Sequence, residues 1–90
     1  MSANIYAIPL SRREGFDLRC STPSSFLESL ERAFFIDAHK RPVFNKCNID
    51  RLQGMAAMHG KKSDDEADNP YYLLIRAIEQ HGDVELQVEY

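Results

Sequence analysis

Five side chains in this 90-residue chain have the chemistry of a zinc ligand or of a nucleophile and its base: Cys20, Cys47, His39, His59 and His81. Their spacing works against both uses. A structural zinc site draws its ligands from closely spaced pairs such as C-x-x-C or H-x-x-x-H. None of the five stands in such a pair. Cys47 and His59 would meet only through tertiary placement, and a reactive thiol also needs a third group to orient its base. His59 and His81 each precede a glycine at an expected helix C-terminus, where the helix dipole favours a cation. That position accounts for both without a metal. The two cysteines read as buried free thiols.

Oxygen ligands cluster once, at Ser63, Asp64, Asp65, Glu66, Asp68 and Asn69. The cluster lacks the D-x-D-x-D-G spacing and the distant bidentate glutamate of an EF-hand, and reads as a solvated acidic loop. Phosphate-cradling loops need grouped glycines. The four here are isolated, at 15, 54, 60 and 82. No G-x-S-x-G nucleophile elbow is present. The expectation is a non-enzymatic protein without cofactor or metal.

Two charged surfaces remain as binding candidates. Eight Lys/Arg against six Asp/Glu leave residues 1–60 at +2, and three against eight leave residues 61–90 at −5, which restores the net charge of −3. The acidic candidate comprises Asp64, Asp65, Glu66 and Asp68 in the loop, with Asp83, Glu85 and Glu89 along the last strand. Such a patch suits a basic partner. The basic candidate comprises Arg12, Arg13, Arg19 and Arg41, with Lys40 and Lys46 nearby. These side chains touch phosphates only if the fold gathers them. An acidic chain is a poor match to the basic footprint of a nucleic-acid binder. A helix-turn-helix would need a turn of about three or four residues, and about nine separate the second and third helices. Direct nucleic-acid binding is therefore the weaker expectation.

The elements that position these residues follow from periodicity. Asn4–Leu10 reads as a strand with Tyr6, Ile8 and Leu10 on one face. Phe16–Ser21 alternates, with Phe16, Leu18 and Cys20 on one side, and the two runs predict a β-hairpin. Pro9 has no N–H for a ladder, so its nitrogen must face an unpaired edge or a bulge. Thr22 caps and Pro23 opens a first helix through Phe26, Leu27, Leu30, Ala33 and Phe34, ending near Ile36–His39. Pro42 breaks the segment that follows.

Asn48 caps a second helix whose stripe is Ile49, Leu52, Met55 and Ala56, with Gly60 as its stop. Asn69, Pro70 and Gly82 punctuate a third helix with Tyr71, Leu74, Ala77 and Ile78 on one face. Asp83–Tyr90 alternates as a last strand, with Val84, Leu86, Val88 and Tyr90 inward. The order β-β-α-α-α-β predicts an α+β domain spanning residues 1–90, with a three-stranded antiparallel sheet and helices packed on one face.

The apolar runs are too short to span a membrane, and Met1–Leu10 lacks the basic start and apolar core of a secretory signal. With only two cysteines, the chain is expected in the cytoplasm.

In length, acidity and layout the chain resembles the small accessory proteins of temperate phages and other mobile elements, including anti-CRISPR and anti-restriction inhibitors. The resemblance rests on general make-up and on no residue motif. It implies an inhibitor that docks on a host protein or ribonucleoprotein, such as a nuclease, and blocks its nucleic-acid site. A small regulatory nucleic-acid binder is the alternative.

Overall fold

The structure is a computed structural model, and it describes residues 3–12, 14–20, 22–59 and 69–89. Four strands are present: β1 (Asn4–Pro9), β2 (Phe16–Asp17), β3 (Val43–Phe44) and β4 (Val84–Glu89). Three α-helices accompany them: α1 (Pro23–Phe34), α2 (Ile49–His59) and α3 (Pro70–His81). The sheet is wholly antiparallel in the order β2-β1-β4-β3, so the first and last long strands lie side by side at its centre.

The α+β class and the antiparallel sheet agree with the sequence reading, but the sheet has four strands, not three. The element order among the described residues is β-β-α-β-α-α-β. The additional strand is Val43–Phe44, in the segment that Pro42 had marked only as non-helical. Two residues show no alternation of their own. They become a strand because Leu86 N–H donates to Pro42 O at 2.9 Å and Phe44 packs into the core opposite Val84.

Tyr6, Ile8 and Leu10 share one face of β1, as expected, and the structure decides that this face is not the core. Ile5, Ala7 and Pro9 face the core, Tyr6 and Ile8 are half-buried on the other face, and Leu10 is 59% exposed. Both phases of NIYAIPL are apolar, so periodicity had no contrast to work with. The Pro9 expectation fits. Leu10 N–H donates to Asp83 O at 3.0 Å, so by alternation the nitrogen of Pro9 points away from β4, past the end of the two-residue β2.

β2 is shorter than the expected Phe16–Ser21. Asp17 Oδ1 accepts Arg19 N–H at 2.8 Å, and Arg19 adopts a left-handed φ of 50°, which turns the chain out of the ladder. Leu18 is buried as expected, whereas Phe16 is exposed and stacks on His81, with ring centroids 5.1 Å apart.

α1 starts where expected, but Thr22 makes no side-chain capping bond. It ends at Phe34, short of Ile36–His39, because Phe35 takes the left-handed conformation that closes many helices. Glu31 and Asp37 then accept Ala38 N–H and His39 N–H, holding a 3₁₀ turn over Ala38–Lys40.

α2 begins at Ile49, directly after Asn48. A 3₁₀ turn over Lys46–Asn48 leads into it, and Asn45 caps that turn. Asn45 Oδ1 accepts Cys47 N–H at 2.9 Å and Asn48 Oδ1 accepts Asn45 N–H at 2.8 Å, a reciprocal pair around a 3₁₀ turn that runs straight into the helix. Gly60 lies outside the described residues.

α3 matches its sequence punctuation in full: Asn69 caps it, Pro70 opens it, and Gly82 ends it at φ 82° with its N–H on Ile78 O. The buried stripes of all three helices join Ile5, Ala7, Phe44, Val84 and Leu86 in one core on one side of the sheet. No described helix covers the other side of the sheet. None of the described helices is long and apolar enough to cross a membrane.

Candidate functional site

The side of the sheet that no described helix covers is built from alternate residues of four strands. Registers Asn4↔Glu89, Tyr6↔Gln87 and Ile8↔Glu85 join β1 to β4, Tyr6↔Asp17 joins β1 to β2, and Val43↔Glu85 joins β3 to β4. Directly opposed residues share a face. The face therefore carries Tyr6, Ile8 and Val43 as its apolar part, and Asp17, Glu85 and Glu89 as its charged part. Val43 is 47% exposed. These strand positions include three carboxylates and no Lys or Arg. Glu85 stands between Ile8 and Val43, so one carboxylate is bracketed by two β-branched side chains.

Of the acidic residues read from the sequence, Glu85 and Glu89 lie on this face and Asp83 is exposed just ahead of it, its carbonyl taken by Leu10 N–H. Gln87 Nε2 lies 3.4 Å from Glu89 Oε1. Asp64, Asp65, Glu66 and Asp68 lie outside the described residues, as does Arg13.

The basic candidates do not converge. Arg12 follows the C-terminal end of β1, its N–H on Pro9 O at 3.0 Å. Arg19 leaves β2 at the opposite end, and Arg41 precedes β3 on the far edge of the sheet. Three strand spacings separate the two edges, about 14 Å at about 4.8 Å each. All three arginines are exposed, and Arg19 and Arg41 have left-handed backbones.

Sequence reasoning missed Tyr6, Ile8 and Val43 as members of the open face. The sequence pattern groups Tyr6 and Ile8 with Leu10 on one face but carries no contrast that tells whether that face is exposed. Their partners on β4, which alternates strongly, would have revealed the phase once the β1–β4 pairing was known.

The chemically reactive groups are dispersed. Cys20 is half-buried and Cys47 exposed, both as free thiols, so the expectation of two buried thiols fails for Cys47. Burial pushes the Cys20 thiol above its ordinary value, partly offset by hydrogen bonds with Thr22. Among the described residues no three His, Cys, Asp or Glu side chains come together as a metal site would require. A groove of about 480 Å³ is lined by Ser29, Arg32, Ala33, Met55, Met58 and Tyr71. Its titratable side chains are Arg32 and Tyr71. Burial raises the Tyr71 phenol, against a lowering hydrogen bond with Ser29.

The chain matches no protein-family model, no curated protein and no solved structure.

Proposed function

We propose that this chain is a non-catalytic protein-binding module that docks through the open face of its sheet onto a basic surface of a partner protein. The partner surface that best fits is one that otherwise holds nucleic acid, which makes the chain an inhibitor of a host nuclease or nucleoprotein of the kind that phage accessory proteins provide. One observation carries the reading: Asp17, Glu85 and Glu89 share a face with Tyr6, Ile8 and Val43 and with no cation at a strand position. Carboxylates steer an oppositely charged partner and fix its register, while the apolar positions between them supply the area that excludes water. The dispersal of Arg12, Arg19 and Arg41 favours this over direct nucleic-acid binding, which needs cations along one track.

The test is affinity capture from a bacterial lysate with wild type, Glu85→Lys/Glu89→Lys and Arg12→Glu/Arg41→Glu, after circular dichroism shows that all three fold. The expected result is loss of the captured partner in the glutamate variant alone. Stoichiometric wild type then displaces nucleic acid from the purified partner. Tight binding of wild type to bare duplex DNA at physiological salt, or loss of capture in the arginine variant alone, overturns the reading.

A further inference from the structure

β2 forms one edge of the sheet, apart from the open face. Leu18 N–H donates to Ile5 O at 3.0 Å, so Leu18, and by alternation Phe16, direct their backbone groups toward β1. Asp17, between them, directs its N–H and C=O away from the sheet. β2 is the terminal strand, and no described residue pairs with that side of it.

Beside this edge runs a groove of about 450 Å³ between β2 and the flank of α3. Leu73 and Ala77 contribute its apolar wall. Arg19, Arg76 and Gln80 stand among its polar lining residues, and Asp17 of β2 borders it. The Asp17 carboxylate already accepts Arg19 N–H.

We propose that this strand–helix groove takes an extended acidic peptide segment of a partner protein, added to the sheet as a fifth strand beside β2. Strand addition uses the unpaired backbone of an edge for affinity and the side-chain groove for selectivity. The added backbone lies about 4.8 Å from β2 and pairs with the outward N–H and C=O of Asp17. Every second side chain then enters between β2 and α3, so the acidic residues of the segment take these positions with their stems over Leu73 and Ala77, and its alternate residues lie on the other face. Carboxylates on the peptide meet the guanidinium groups of Arg19 and Arg76. Arg76 has an intramolecular partner, and its five donors allow it to share a second carboxylate. Arg19 is held by its turn, so little of its backbone freedom is lost on binding.

The experiment titrates the whole 90-residue chain against an end-capped eight-residue peptide alternating glutamate and valine, and against its lysine-for-glutamate counterpart. Affinity is read by fluorescence polarisation and the site by ¹⁵N amide shifts. The glutamate peptide should bind at least about tenfold more tightly than the lysine peptide, and Arg19→Glu/Arg76→Glu should weaken it by about tenfold or more. In wild type the Asp17 amide should shift downfield and exchange more slowly on binding, a backbone readout that requires no variant to fold. Glu85→Lys/Glu89→Lys should leave this affinity within about twofold, which separates this groove from the open face. Equal binding of both peptides, no binding of either, or an unmoved Asp17 amide overturns the proposal.

Discussion

The Asn69 side chain donates from Nδ2 to the carbonyl of Ala56 at 3.1 Å while its Oδ1 accepts Tyr71 N–H at 3.0 Å. Ala56 lies in the last turn of α2, and Tyr71 lies in the first turn of α3, where N–H groups have no intrahelical partner. One buried amide thus caps α3 and ties the end of α2 to its start. An amide offers a donor and an acceptor on separate atoms of one short side chain.

Asn69→Ala removes both bonds beside the core and leaves the Tyr71 N–H without its cap, and should cost about 1–3 kcal/mol. Asn69→Asp keeps the cap acceptor but removes the donor and sets a carboxylate against the Ala56 carbonyl. It should also destabilise, and urea unfolding of the two variants separates the donor from the acceptor role. Unchanged stability in Asn69→Asp would show that the Ala56 contact contributes nothing.

The two faces of the sheet predict opposite responses along one strand. Leu86 and Ile5 are fully buried in the core, so Leu86→Ala or Ile5→Ala should each cost about 2–5 kcal/mol, a large share of the stability of a domain this small. Ile8 lies on the open face, and Ile8→Ser should cost less than about 1.5 kcal/mol while weakening partner capture. Chemical denaturation of the three variants checks the phase of β1, and an Ile8 cost as large as that of Ile5 would reverse it.

Gly54 is exposed in the middle of α2, and a Cβ built there meets nothing within 4 Å. Gly54→Ala should therefore stabilise the protein by about 0.4–1 kcal/mol through helix propensity and a less flexible unfolded chain. A rise in Tm of a few degrees in calorimetry is the expected outcome, and a fall would mean that the open space is needed by a partner or by another part of the chain.

Alkaline stability follows from Cys20 and Tyr71. Burial raises both groups above their ordinary values of 9.0 and 10.0. In each case the unfolded chain releases its proton at lower pH than the folded one. Their contribution is thus complete below about pH 9 and is lost as pH rises through the folded-state values above 9 and 10. Urea midpoints measured from pH 8 to 11 should fall across this window. Cys20→Ala/Tyr71→Phe should flatten the fall, because neither replacement has a proton to release.

Helices α1 and α3 and strand β4 were legible in the sequence because each carries its own contrast. Pro23 and Pro70 mark helix starts, Gly82 marks a stop, and β4 alternates apolar with charged residues over six positions. Burial of Val84 and Leu86 follows from that alternation alone, since the other set includes carboxylates that remain in water. Glu85 and Glu89 could likewise be assigned to a solvent face before any pairing was known.

Tertiary structure decided what local pattern leaves degenerate. The β1 run is apolar in both phases, and only the helices packed on Ile5 and Ala7 select which phase is core. Val43–Phe44 is too short to signal a strand and becomes one by pairing with β4. Arg19 and Arg41 look like members of one basic patch in the sequence, yet the order β2-β1-β4-β3 sends them to opposite edges. A side chain's neighbours along the chain are fixed by spacing, whereas its neighbours across a sheet depend on strand order and register. Those in turn depend on the whole buried surface at once.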